Sequence, residues 1–472
     1  MNNIMYGGED PIAAFATTPG NSALTLIRCS GKGSIDLASS IIASEKIKNT
    51  PGNTVIHGWI VNNEQRIDEV LVSVFRAPKS YTGEDSLDIC CHGGAAAGKA
   101  VMTALKKAGF RDALPGEFTF RAFMNGKLDL TRSESVMELV SAKTEAGRRH
   151  AVTRLSGSLQ NEINEIKQLL VQVLAGAEIY LDYSEDEISP AMNADETAGK
   201  LPNKDIALSA LSRLKKLSAS WQLERVYQEG ITVVIAGKPN AGKSSLFNAL
   251  LKEDRSIVTE TPGTTRDWIE AWVSIEGIPV RLIDTAGLRD TDNFIEKIGV
   301  ERSRTLLEEA DIVLYLIDGD AGSRETGITE EIAGIENSSG SKYLTIWNKC
   351  DISPLPQPFP AADCTPVCVS AMTGEGLTEL SAAIIEMIYK QTKTDVQAEN
   401  QTAALGTERQ KILVESACAA LEEALALTEA DEALDLIAPM LREAVNTLGE
   451  ITGEVSTADI LEEMFGRFCV GK

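Results

Sequence analysis

The chain has 472 residues, 43% of them hydrophobic, and a formal net charge of −24 at pH 7. Its length suggests roughly two to four domains with ordinary globular cores, and no apolar run reaches the ~18 residues a membrane-spanning helix needs. The surplus of carboxylates argues against a broad nucleic-acid-binding surface, because phosphate contacts need clustered Lys and Arg; a local basic patch or a basic partner stays open.

The opening, MNNIMYGGEDPIAAF, has no basic region ahead of an apolar one and does not read as a secretory signal. The cysteines (Cys29, Cys90, Cys91, Cys350, Cys364, Cys368, Cys418 and Cys469) form no regular framework, so a reducing cytoplasm is expected. His57, His92 and His150 do not stand at zinc-ligand spacing with a cysteine pair, so zinc is not expected.

Residues 1–125 mix short apolar strands, such as SALTLIRCSG and EVLVSVFRAP, with glycine-rich turns and one helix, AAAGKAVMTALKKAG, closed by Gly109. This is an α+β pattern. Residues 126–228 are helical. Ile163, Ile166, Leu170, Val173, Ala177 and Leu181 recur at steps of three and four and form one apolar stripe, and NKDIALSALSRLKKLSASWQLERVYQEG is a second long helix. Over 229–391 the runs ITVVIAG, PVRLID, DIVLYLID, YLTIWNK and PVCVSA alternate with helical patterns, the signature of a mostly parallel α/β sheet; SPLPQPFPAAD is a proline-rich loop within it. Helices resume over 392–472. The simplest organisation is a multidomain α/β protein: an N-terminal α+β domain, then a helical domain into which a Ras-like P-loop domain is inserted, its two helical segments packing together.

GKPNAGKSS, Gly237–Ser245, fits G-x-x-x-x-G-K-[ST] between a strand and a helix. Backbone amides of such a loop, among them those of Asn240, Ala241, Gly242 and Ser245, surround phosphate oxygens at a helix N-terminus. Lys243 is expected on the outer phosphates and the Ser244 hydroxyl on Mg²⁺. The stretch TETPGTT follows, with Thr259, Glu260, Thr261, Pro262, Gly263, Thr264 and Thr265; a threonine hydroxyl there completes a Mg²⁺ shell. Asp284, Thr285, Ala286 and Gly287 form DTAG, whose aspartate can hold a metal-bound water and whose Gly287 amide can sense a γ-phosphate. Asn348, Lys349 and Asp351 belong to NKCD, and the Asp351 carboxylate can accept both N–H groups on the edge of guanine, which adenine does not offer. Ser370 and Ala371 would close over the base. Five elements in this order specify GTP. The residue after DTAG is Leu288, where many such GTPases carry a water-orienting Gln. Transition-state help must come from elsewhere: a cation held by Asn240, or an acidic side chain in LRDTDNFIEKIG.

PGEFTFRAFMNGKLDLTRSESV (Pro115–Val136), YTGEDSLDICCHGG (Tyr81–Gly94), GKPNAGKSS, TPGTTRDW, DTAGLRD and the terminal FCVGK together resemble the MnmE (TrmE) family of tRNA modification GTPases, nearly end to end. The resemblance implies a homodimer that forms a heterotetramer with the flavin- and NADH-dependent partner MnmG (GidA). The complex adds an aminomethyl-type group to C5 of the wobble uridine of certain tRNAs, with a 5-formyl- or 5,10-methylene-tetrahydrofolate as one-carbon source. It further implies folate binding and dimerisation by the front domain, and pairing of the G domains when K⁺ is bound. Residue by residue, folate falls to Arg28, Asp88, Lys127 and Lys472, where many members carry Glu in place of Asp88. K⁺ falls to Asn240, Thr259, Thr261 and Thr264, and Mg²⁺ to Ser244 and Thr265. Glu296 matches the catalytic glutamate, and Arg289 an arginine of open role.

Cysteine is nucleophilic as thiolate, and a nearby cation such as Lys472 lowers its pKa. The resemblance puts Cys469 near the folate, in modification rather than GTP hydrolysis. A structural thiol is the plainer alternative, and CVGK suits a prenylation box poorly. A GTPase switch in ribosome assembly would share the nucleotide motifs but needs neither the front domain nor the terminal thiol.

Overall fold

The computed structural model describes residues 8, 10–18, 20–44, 46–62, 65–182, 201–253, 269–284, 306–307, 309–322, 342–356, 365–392 and 403–471. The chain divides into two compact units: one made of 1–137, 155–211 and 416–472, the other of 138–154 and 212–415.

In the first unit, six strands form a sheet among the described residues: β1 (Ile12–Phe15), β2 (Leu24–Ser30), β3 (Thr54–Asn62), β4 (Gln65–Phe75), β5 (Ser86–His92) and β6 (Arg111–Asp112), in the order β3-β4-β5-β2-β1-β6. β1 pairs antiparallel with β2 and parallel with β6. Alternation along the strands sends Ala13, Ile27, Cys29, Val72, Val74, Leu87 and Ile89 to one face. There they bury against Val101 and Leu105 of α2 (Ala95–Ala108), with α1 (Ser34–Ser39) beside it. As the alternation requires, Arg28 and Asp88 point to the opposite face, and they are register partners across β2 and β5.

The helices α3 (Glu117–Met124), α4 (Leu130–Ser141), α5 (Glu145–Leu155), α6 (Ser158–Asp182) and α7 (Lys204–Glu229) follow. The stripe on α6 is buried from Ile163 to Ala177, whereas Leu181, in the last turn, is exposed. A period identifies which side of a helix is apolar, but burial also needs a partner that extends as far. The covering helix is Leu434–Thr452, from the C-terminal segment, which packs along α6. After it, Ala458–Gly466 returns the chain to α3. Phe465 stacks edge-on to Phe120 at 5.5 Å, and both bury with Leu130, Leu461 and Phe468.

The second unit holds a six-stranded sheet in the order β12-β11-β10-β7-β9-β8, made of β7 (Ile231–Gly237), β8 (Ile269–Ile275), β9 (Ile278–Asp284), β10 (Ile312–Asp318), β11 (Tyr343–Asn348) and β12 (Val367–Val369). Only β8 runs antiparallel. Both faces are buried, with Val233 and Ile235 in one core and Val234 in another, which is why these strands read as continuous apolar runs. No helix among the described residues is long and apolar enough to cross a membrane.

This unit also buries a charge cluster that no motif announces. The Arg154 guanidinium, 2% exposed, donates to Glu138 Oε2 and Glu224 Oε2, each at 2.7 Å, and His150 Nδ1 lies 2.6 Å from Glu224 Oε1. Burial alone would raise the Glu224 carboxyl, but the His150 hydrogen bond and the Arg154 charge outweigh it and hold it below its ordinary value. Removing one partner of a buried pair leaves the other uncompensated. Arg154→Ala is therefore expected to lower the unfolding free energy by about 3–5 kcal/mol, measurable by denaturant titration. The sign of the pH effect follows from the depressed carboxyl. Its contribution is complete above the ordinary carboxylate pKa and is lost as pH falls through the lower folded value. Glu224→Gln should flatten the acid limb of stability against pH.

Candidate nucleotide and front-domain sites

At the carboxyl ends of parallel strands the chain must turn, and a ligand can settle in the crevice beside the point where the strand order reverses. β7 is that point, since β9 continues on one side of it and β10 on the other. Registers place Gly237 opposite Leu316, Asp284 opposite Ile235, Asp318 opposite Asn348, and Asn348 opposite Val369. The fold thus brings four separate motifs to one rim.

The loop after β7 leads into α8 (Lys243–Glu253). It turns through positive φ at Asn240 (65°) and Gly242 (93°). A Cβ on Gly242 would lie 2.2 Å from Asn348 Nδ2. Lys243 folds back over the loop, its Nζ donating to the Gly237 and Lys238 carbonyls at 3.0 and 2.8 Å. Ala241 is buried in the core beneath, and Ser245 follows on the first turn of α8. The Ser244 hydroxyl donates to Asp284 Oδ2 at 2.7 Å, and Asp284 is fully buried. An exposed hydroxyl on a buried carboxylate, beside a phosphate-cradling loop, presents the hard oxygen donors that Mg²⁺ prefers.

Asn348 ties two loops together. Its Nδ2 donates to the Ala241 carbonyl at 2.7 Å and its Oδ1 accepts from the Ala371 amide at 3.2 Å. Ser370 is buried, and its Oγ accepts from the Thr373 amide at 3.2 Å, shaping the loop after β12. Lys349 pairs with Asp318 Oδ2 at 2.7 Å. Asp351 is exposed beyond them, free of the core and available to a base edge. Sequence reading missed Asp318. Its signal was its place at the end of DIVLYLID, which matches Asp284 at the end of PVRLID. Thr259, Glu260, Thr261, Pro262, Gly263, Thr264, Thr265, Thr285, Ala286, Gly287, Leu288, Arg289 and Glu296 lie outside the described residues.

In the first unit, Arg28 Nε donates to Asp88 Oδ1 at 3.1 Å, both side chains about a quarter exposed or less. The Arg28 guanidinium lies 5.5 Å from the centre of the Tyr81 ring. Lys127 Nζ donates to the Pro78 carbonyl at 3.0 Å, at the start of the loop that carries Tyr81. The terminal segment comes to the same sheet. The Cys469 carbonyl accepts from the Gly116 amide at 3.4 Å. A Cβ on Gly471 would meet the Phe15 carbonyl at 2.4 Å, next to Ala14, the register partner of Arg28. Lys472 lies outside the described residues. Of the described cysteines only Cys469 is exposed. Burial pushes the thiols of Cys29 and Cys91 up, the latter to about 11, so neither serves as a thiolate near neutral pH.

A phosphate loop, a hydrogen-bonded Ser–Asp pair and an Asn-Lys-x-Asp turn on one rim of a parallel sheet define a P-loop GTPase. A family profile described as the MnmE helical domain matches residues 130–469, and one described as the GTP-binding protein TrmE N-terminus matches residues 11–127. The tRNA modification GTPase MnmE of Treponema denticola is 42% identical over 477 residues, covering 99% of each chain. That of Carboxydothermus hydrogenoformans is 40% identical over 477 residues, covering 98% of this chain and 100% of the other. That of Borreliella afzelii is 39% identical over 482 residues, covering 99% of each. The chain belongs to the MnmE family of tRNA modification GTPases, and is with it a GTP hydrolase.

Because the Gly242 position has both positive φ and Asn348 against it, Gly242→Ala must open the loop. It is expected to weaken guanine-nucleotide binding at least about tenfold, read by fluorescence titration with a labelled GDP.

Proposed function

We propose that this GTP hydrolase of tRNA modification requires Mg²⁺ and K⁺ for turnover. We further propose that it works as a homodimer with the flavoprotein MnmG, and that together they add a (carboxymethyl)aminomethyl group to C5 of the wobble uridine, using a tetrahydrofolate one-carbon unit. The observation that supports the reading most is the convergence of Lys243, Ser244, Asp284 and Asn348 on one rim. Their chemistry suits a nucleoside triphosphate: an ammonium and loop amides for phosphate oxygens, and an oxygen pair for a hard cation.

Ser244 and Thr265 would hold Mg²⁺, with Asp284 on a metal-bound water, and the ion when bound would offset negative charge on the phosphate oxygens. Asn240, at a positive φ within the phosphate loop, is the assigned K⁺ ligand, with Thr259, Thr261 and Thr264 as the further ones. Glu296 is the residue assigned to position water indirectly, in the absence of a glutamine after DTAG. Asp351 reads guanine. The Arg28–Asp88 pair fits a reduced pterin and its tail: the carboxylate accepts from an N–H edge while the guanidinium, with Lys127 and Lys472, attracts carboxylates. Cys469, exposed on a tail docked beside β1, serves the modification chemistry. MnmG supplies much of the tRNA-binding surface that a chain of charge −24 lacks.

Two measurements test this reading. Asp351→Asn removes a charged acceptor of two hydrogen bonds and should weaken GTP binding about a hundredfold. Unchanged affinity would dismiss Asp351 as the guanine reader. Mass spectrometry of tRNA nucleosides should show the wobble modification restored in deletion cells by the wild-type chain and not by Cys469→Ser. Restoration by both would make the tail a positioning element, and restoration by neither would refute the assigned tRNA product.

A further inference from the structure

The Arg28–Asp88 pair raises a question of orientation. An arginine on a sheet face has many rotamers, and Arg28 adopts one that turns its guanidinium edge toward the Asp88 carboxylate on the adjacent strand. Among the described residues, Arg28 uses Nε on Asp88, and no further hydrogen bond is made by its two terminal nitrogens or by Asp88 Oδ2. Those are the atoms a ligand would meet. What holds the guanidinium so? The Tyr81 ring lies against it, 5.5 Å from ring centre to Cζ. Tyr81 is itself fixed from behind: its hydroxyl and Thr119 Oγ1 of α3 are 2.9 Å apart. Burial pushes the phenol up against the smaller effects of Thr119 and Arg28, so it remains a neutral hydrogen-bonding hydroxyl.

The loop carrying Tyr81 is pinned on several sides. Asn125 Nδ2 donates to the Thr82 carbonyl at 2.7 Å, and Thr82 Oγ1 lies 2.6 Å from Ser30 Oγ, two residues along β2 from Arg28. Arg121 of α3 donates to Glu84 Oε2 at 3.1 Å, and Lys127 Nζ holds the Pro78 carbonyl. A ring anchored this firmly, over a cation that is bonded only at one nitrogen, has the geometry of a clamp.

We propose that Tyr81 is a positioning residue of the front-domain site: tethered to Thr119, it holds the Arg28 guanidinium in the orientation that pairs Nε with Asp88 and leaves the terminal nitrogens and Asp88 Oδ2 to the ligand. The proposal rests on the folate reading of this site.

The test is isothermal titration of the full-length protein with 5-formyltetrahydrofolate. It compares wild type, Tyr81→Phe, Tyr81→Ala, Arg28→Ala and the Tyr81→Ala/Arg28→Ala double variant, each checked for an unchanged unfolding midpoint. Loss of the ring should weaken binding about tenfold, and loss of the hydroxyl alone about two- to threefold. If Tyr81 acts through Arg28, the ring contributes little once Arg28 is gone, so Tyr81→Ala in the Arg28→Ala background should cost less than about twofold. Equal losses in both backgrounds would overturn the proposal and make Tyr81 an independent contact. Unchanged affinity in Tyr81→Ala would also overturn it, while leaving the folate reading standing. A wild-type protein that does not bind the folate would remove the reading itself and the proposal with it.

Discussion

The nucleotide site depends on one buried side chain. Asn348 ends β11, donates to the phosphate loop at Ala241, accepts from the loop after β12 at Ala371, and leaves no room for a side chain on Gly242. An amide can do this because it has a donor and an acceptor at opposite corners, so one residue satisfies two loops that would otherwise end with unpaired buried backbone groups. A carboxylate could not donate and a hydrocarbon could do neither. The phosphate loop and the loop after β12 are thereby tied to the same side chain in the ligand-free fold. That preorganisation lowers the ordering cost of binding.

The front domain uses a different constraint. Its sheet is covered on one face by α2, and the other face carries Arg28 and Asp88 across one antiparallel register. Aromatic packing of Phe465 and Phe468 on α3 then returns the end of the chain to the beginning. The glycines of that return act as close-approach points: a side chain at Gly116 would strike the Phe465 carbonyl at 2.4 Å, and one at Gly471 the Phe15 carbonyl at the same distance. A terminal segment held this way keeps its exposed thiol beside a defined surface rather than free in solution. The cluster of Arg154, Glu138, Glu224 and His150 in the other unit shows the reverse economy, with a guanidinium and two carboxylates withdrawn from water and hydrogen-bonded to one another.

Local rules carried much of the reading. Alternating apolar runs identified the strands, and steps of three and four located the buried side of α6 as far as Ala177. The spacing of GKPNAGKSS named a phosphate loop because a helix N-terminus and a glycine turn make an anion site wherever they occur. Those features depend on residues close in the chain, so sequence by itself determined them, along with the family to which the chain belongs. Distant pairings had no such local signature. That Asp318 would meet Lys349, that Ser244 would bond Asp284, that Arg154 would bury between two glutamates, and that Tyr81 would lie over Arg28 all depend on strand order and helix packing. The end of α6 makes the same point, since Leu181 obeys the period and is still exposed. Periodicity and motif spacing are properties of one segment, whereas burial and charge pairing need a second surface. Only the tertiary structure supplies that surface.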